Sequence, residues 1–284
     1  MSGLRSTQTD VADATRAAAD RLSATSDTAR LDAELLMAHA LGVTRSDLLL
    51  RHMRDPAPQG FAPLVERRAA HEPVAHIVGR QEFYGLDLAV TSDTLIPRGD
   101  SEALIDAAQD IFAGRGAPSR ILDLGTGSGA LLLAGLSVWA GAEGIATDRS
   151  EAALAVAQGN ATALGFNQRA RFLVRDWHAG GWARDLGKFD LILCNPPYVE
   201  ADAKLAPSVH DFEPATALYA GAQGLDDYRV LLPQIRDLLA QGGVAIFEIG
   251  ASQGDSVRRL AEEQGFSVDI RADLAGRDRA VICT

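Results

Sequence analysis

From about Asp100 to the C-terminus, short apolar runs alternate with segments of helical period. That alternation limits the fold more tightly than any other feature of the chain. Arg120-Ile121-Leu122-Asp123-Leu124, Gly144 to Asp148, Arg171 to Val174, Phe189 to Cys194 and Val244 to Ile249 read as strands. Between them, Ala130 to about Trp139, Glu151 to Leu164, Asp227 to Leu239 (bent near Pro233) and Gln253 to Gln264 read as helices. Two closing runs, Phe266 to Ile270 and Ala280 to Cys283, suggest a terminal antiparallel pair. Repeated strand–helix units imply an α/β fold with a doubly wound, mostly parallel sheet and helices on both faces. In such sheets ligands bind at the carboxyl ends of the strands.

The first 75 or so residues are different, being rich in Ala, Leu, Arg and Asp and poor in Gly before Pro56-Ala57-Pro58-Gln59-Gly60. Leu31, Leu35, Ala38 and Leu41 fall on one helical face, with Gly42 as a stop, and a short helix is expected from Pro63 to about Ala70. Between His76 and Val90 the pattern turns to alternation, and Phe83 to Val90 reads as a hairpin around a Gly turn.

Two loops carry chemistry. Gly125-Thr126-Gly127-Ser128-Gly129 follows the first strand and opens the next helix, where glycines let the backbone turn and approach a ligand. The pattern fits a nicotinamide dinucleotide as well as a methyl donor, because Gly125, Gly127 and Ala130 also meet the dinucleotide fingerprint. Asp148, ending the second strand, suits the ribose hydroxyls of either cofactor. Asp176-Trp177 after the third strand tips the balance toward a methyl donor: an acid can accept from an adenine amino group and an aromatic can flank the ring, although a core position is the commoner role for a tryptophan.

The second loop is Asn195-Pro196-Pro197-Tyr198, directly behind the run Leu191 to Cys194. Two prolines must end that strand and leave a stiff, extended lip. The Asn195 side-chain oxygen and the Pro196 carbonyl can accept from a planar NH2 group, and Tyr198 can stack on its face. Alone, Asn-Pro is also a common turn opener. The glycine loop, Asp148, Asp-Trp and the amide lip occur in the order that successive strands of one sheet require, which favours the chemical reading.

With 47% hydrophobic and 23% charged residues among 284, the composition is that of a globular chain. A formal charge of -11 argues against binding long duplex nucleic acid through a broad basic face. Cys194 and Cys283 form no disulfide or zinc pattern, no metal-ligand spacing is visible, and the six histidines are scattered. Asp190, ahead of its strand, suits a capping role better than that of a base. No apolar run approaches the ~20 residues of a membrane span, and the N-terminus lacks a signal-peptide core, so a cytoplasmic setting is expected.

With these motifs in place, the chain resembles the protein-(glutamine-N5) methyltransferases that modify class 1 peptide-chain release factors, a branch of the S-adenosylmethionine-dependent class I methyltransferases. The resemblance runs through Glu72-Pro73-Val74-Ala75 with Ile77 and Gly79, Phe83-Tyr84, Leu95-Ile96-Pro97-Arg98, the glycine loop, the Asn-Pro-Pro-Tyr lip, Phe212-Glu213-Pro214, Glu248-Ile249-Gly250 and Asp273 to Arg279. It implies a seven-stranded methyltransferase sheet with S-adenosylmethionine as cofactor. By that resemblance Gly125 to Gly129 and Asp148 hold the cofactor, Trp177 lies by the adenine, and Asn195 touches both cofactor and substrate. The implied substrate is the glutamine of a Gly-Gly-Gln tripeptide on the release factor. The expected division is a helical substrate-recognition domain over 1–75, a β-hairpin linker over 76–95 and a catalytic domain over 96–284. Departures from the family pattern are Arg98-Gly99-Asp100-Ser101-Glu102, where the family usually has Arg-Pro-x-Thr-Glu, and His76, where Tyr is common. Ser101 keeps the hydroxyl and is expected to cap the following helix. Three rivals remain: a DNA adenine-N6 methyltransferase, for which the acidic charge is unsuited; a nicotinamide oxidoreductase, which leaves the lip unused; and a non-catalytic cofactor-binding scaffold.

Overall fold

A computed structural model describes residues 9–284. The chain divides into a helical unit, residues up to Gly79 with Leu205–Phe212, and an α/β unit, Arg80–Lys204 with Glu213–Thr284.

The helical unit is built on the packed pair Val11–Leu22 and Ala29–Leu41, with the shorter helices Phe61–Ala69 and Val74–Val78 later in the chain. Asp10 caps the first helix by accepting from the Asp13 N–H at 2.8 Å. Gly42, in the left-handed region, ends the second. The buried face of Ala29–Leu41 is not the expected one. Ala33, Leu36 and Met37 are fully buried, whereas Leu31 is exposed and Leu35 and Leu41 are only half-buried. That helix is apolar around most of its circumference, so periodicity alone does not choose a face. What completes the choice is the burial of Asp32 and Glu34, neutralised by Arg68 at 2.6 Å and by Arg30 and Arg45. The next helix begins at Phe61, not at Pro63, because Phe61 is a buried anchor and a proline in the first turn lacks only an N–H that has no helical partner. Val74–Val78 is helical where alternation was expected from His76, and Gly79 stops it.

In the α/β unit, β1 (Arg80–Phe83) and β2 (Leu86–Ala89) form the hairpin, joined by Tyr84 and Gly85, both at positive φ. The main sheet contains β3 (Arg120–Leu124), β4 (Glu143–Asp148), β5 (Ala170–Val174), β6 (Phe189–Cys194), β7 (Leu239–Glu248), β8 (Val268–Ala272) and β9 (Asp278–Cys283). Their order is β5-β4-β3-β6-β7-β9-β8, parallel except that β9 runs antiparallel to β7 and β8. This is the seven-stranded class I methyltransferase sheet. Alternate residues feed two cores. Ile121, Leu191 and Leu193 pack with the helices Glu102–Phe112 and Ala130–Val138, while Leu122, Ile192 and Phe247 pack with Asp226–Ile235 and Gly254–Glu263. Asp226–Ile235 contains Pro233 and passes into a 3-10 turn at Arg236–Leu238.

The hairpin is fastened into the α/β unit at two points. Asn160, buried on the helix Glu151–Ala163, accepts from the Ala89 N–H and donates to the Ala89 and Ser128 carbonyls. Glu102 accepts from the Tyr84 N–H at 2.9 Å, and the Tyr84 hydroxyl donates to Asp106. Ser101 does not cap the helix Glu102–Phe112: a 3-10 turn at Gly99–Ser101 leads into it, and the Ser101 side chain points elsewhere.

Candidate active site

The parallel registers align the carboxyl ends of five strands: Leu124 with Thr147 and Cys194, Asp148 with Val174, and Cys194 with Phe247. Each expected functional loop leaves from this edge. They surround a cavity of about 440 Å3 within the α/β unit.

Gly125, Thr126, Gly127 and Ser128 line the cavity; Gly129 lies beneath it, packed on Leu133 and Ala157. Gly125 is needed for two reasons. Its φ is 71°, and a Cβ there would come within 3.0 Å of the Trp177 ring, which lies over the loop. The Gly127 N–H donates to Asp148 at 3.0 Å, and the Ser150 N–H donates to its other oxygen at 2.9 Å, so the carboxylate is aimed before any ligand arrives. Trp177 is held by its indole N–H, which donates to Asp227 at 2.7 Å; His178 meets the same oxygen at 3.0 Å. Asp176 accepts from the His178 backbone N–H and also lines the cavity.

Asn195 and Pro197 line the same cavity. Pro196 is buried behind them, and Tyr198 is not part of the lining. The Tyr198 hydroxyl donates to Glu248 at 3.1 Å, while its carbonyl accepts from Gln253 at 3.0 Å. Burial lifts the Tyr198 phenol well above the ordinary tyrosine range, so it remains a neutral donor. The Val199 N–H donates to the Leu218 carbonyl and the Val199 carbonyl accepts from the Ala220 N–H, which pins the outer end of the lip. The Asn195 Nδ2 donates to the Ser101 Oγ over 3.4 Å. Arg98, also on the wall, is held by the buried Glu213 at 2.8 Å. Asp190 sits at the other end of β6, accepting from Ser119 and Arg120, and these hydrogen bonds hold its carboxyl below the usual range despite partial burial. It is a structural cap.

Sequence reasoning assigned no role to Asp123. This residue is buried at the end of β3, lines the cavity, and has one oxygen bound by Thr126 and Leu132 and the other, Oδ1, without a partner. Burial pushes it up to about 7, against the pull of those hydrogen bonds. A half-satisfied buried carboxylate facing a cavity is complementary to a cation. The signal was an acid inside an otherwise apolar strand. Glu248, Asp227 and Gln253 were likewise given no role, since each acts on a residue far away in the chain. Glycine loop, ribose-facing acid, flanking indole and cation-seeking carboxylate together fit S-adenosylmethionine.

Residues 13–79 match the PrmC N-terminal domain model and residues 117–263 the methyltransferase domain model. The release factor glutamine methyltransferase of Cereibacter sphaeroides is 45% identical over 279 residues, covering 95% of this chain and 96% of that one. The chain belongs to the release factor glutamine methyltransferase family. Its Rhodospirillum rubrum relative of the same name is 44% identical over 259 residues, covering 89% of this chain and 78% of that one. Among solved structures, the hMettl16 catalytic domain in complex with MAT2A 3'UTR hairpin 6 superposes with a TM-score of 0.56 at 15% identity, over 78% of this chain and 81% of that one. At that identity the likeness concerns the fold alone. No described helix is long and apolar enough to cross a membrane.

Proposed function

We propose that this chain transfers a methyl group from S-adenosylmethionine to the side-chain amide nitrogen of the glutamine in the Gly-Gly-Gln tripeptide of class 1 peptide-chain release factors, acting in the cytoplasm. The observation that carries this reading is the Asn195 amide lining the same cavity as the glycine loop and Trp177, in a member of this family. An amide nitrogen is a poor nucleophile because its lone pair is delocalised into the carbonyl. The Asn195 side-chain oxygen and the Pro196 carbonyl accept from the substrate NH2, orient it, and stabilise the positive charge that grows on nitrogen as it attacks. Pro197 lines the wall, and Tyr198, anchored behind it to Glu248 and Gln253, holds the lip stiff. When bound, S-adenosylmethionine supplies a methyl group already activated by its sulfonium. Gly125 to Gly129 would bring the backbone close to it, Asp148 would take the ribose hydroxyls, and Asp176 and Trp177 would take the adenine. Incubating the chain with labelled methyl donor and a release factor should give one added methyl on that glutamine by mass spectrometry. Methylation of duplex DNA in its place would favour the adenine-modifying rival.

Asp123 gives this reading a pH signature. Its free oxygen would accept from the donor's ammonium group, and only the ionised carboxyl attracts a cation. Donor affinity should therefore be full above about 7, where Asp123 is charged, and fall by up to about tenfold per pH unit below it. Calorimetric titration of wild type and Asp123→Asn checks this, with NAD as the control ligand. The variant should bind weakly and lose the pH dependence; NAD binding without methyl-donor binding would remove the cofactor assignment.

A further inference from the structure

Glu248 is the last residue of β7, and the pairing of Cys194 with Phe247 places it beside Asn195 at the sheet's carboxyl edge. It is 1% exposed, at the end of a run of apolar residues. Its Oε1 accepts from the Tyr198 hydroxyl, and its Oε2 has no hydrogen bond of good geometry. Ser101 is also buried; its hydroxyl lies against Glu248, easing the carboxyl's ionisation, and receives the Asn195 Nδ2. Arg279 on β9 and Arg98 face the same carboxyl and favour its charge, while burial opposes it and wins, leaving Glu248 above the ordinary glutamate range. The other titratable neighbours are Tyr228, which donates to the Glu248 carbonyl at 2.6 Å, and Cys194; burial raises both well beyond their usual values, so they stay neutral.

Hydrogen-bond bookkeeping across this group gives it a direction. An ionised carboxylate only accepts. Tyr198 and Ser101 must then both turn their hydroxyl hydrogens toward Glu248. The Ser101 oxygen has lone pairs left and no hydrogen, so Asn195 has to present its NH2 to it. The Asn195 Oδ1 is thereby turned to the cavity, where the substrate amide needs an acceptor. A protonated Glu248 carries a hydrogen of its own and removes the constraint: Ser101 is free to donate, and the Asn195 amide is held equally well the other way round, with donor facing donor. We propose that ionised Glu248, through Ser101 and Tyr198, is the positioning residue that fixes the Asn195 amide with its oxygen toward the substrate. The inference rests on the methyl-transfer reading above and adds to it the group that sets the polarity of the lip.

The test uses the full chain with a release factor, at saturating methyl donor so that the pH response of Asp123 drops out of kcat. Wild-type kcat should fall as pH falls through a limb above the ordinary glutamate range. Glu248→Gln, which keeps the shape and loses the charge, should lower kcat about tenfold and abolish that limb. Its donor affinity at pH 8 should stay within about twofold of wild type. Ser101→Ala should lower kcat similarly, and Ser101→Thr should restore most of the loss. Far-ultraviolet circular dichroism checks the fold; if Glu248→Gln does not fold, the Ser101 pair decides, since recovery by threonine requires the hydroxyl. Wild-type kcat with the acidic limb intact in Glu248→Gln, or equal activity of Ser101→Ala and Ser101→Thr, overturns the positioning role and leaves the methyl-transfer reading standing. A wild-type chain that methylates no release factor overturns both.

Discussion

Asn195→Ala should lower kcat for release-factor methylation by about a hundredfold, with the fold intact. The side chain is half-buried, and its single hydrogen bond to Ser101 is long, so little stability depends on it. What it supplies is an aimed acceptor at the point where charge develops in the transition state. Removing one such group costs on the order of 3 kcal/mol, most of it in the chemical step. Because Asn195 lines the same cavity as the glycine loop, some loss of donor affinity accompanies the change, and turnover must be read at saturating donor. Single-turnover measurement separates the two effects. Near-normal turnover under those conditions would mean that the lip neither orients nor stabilises the substrate amide.

The strands of the α/β unit were legible because their signals are local. A run such as Leu191 to Cys194 is apolar, short and closed by two prolines, and no helix can be made of it. Their common edge followed from the order of the loops. The helical unit was harder to read. Ala29–Leu41 is apolar on several faces, and the buried one was selected with the help of Arg45 and Arg68, which pair with acids 11 and 36 residues away in the chain, beyond any periodicity argument. Ser101 shows the same limit within the candidate site. Its position before a helix suggested a cap, since capping is decided by neighbours in sequence. The structure directs its hydroxyl to Asn195 and Glu248, which only the sheet brings near. Glu248 itself lay in a recognised motif without a role, for its partner Tyr198 is 50 residues away.

Replacing Leu31 and Leu50 with serine should raise the Michaelis constant for the release factor on the order of tenfold each, while donor affinity and kcat stay near wild type. The helical unit carries no chemistry of its own, yet it keeps large apolar side chains in water: Leu50 is 79% exposed, Leu31 41% and Leu49 37%. Leu31 and Leu49 line one groove of this unit together with Arg30 and Arg45, both of which pair with Glu34. Single exposed leucines are ordinary, but a groove lined by both leucines and charged side chains has the make-up of a protein contact. A tripeptide alone offers the cavity few contacts, so affinity for a folded release factor needs further surface, and we assign that recognition to this unit. Point changes test this better than truncation at Gly79, which would strip Leu205–Phe212 of the helices it clusters with. Exposed Leu→Ser changes alter stability by only about 0.5 kcal/mol, so thermal denaturation should barely move. An unchanged Michaelis constant in the double variant would leave these leucines as ordinary surface and would place substrate recognition on other residues.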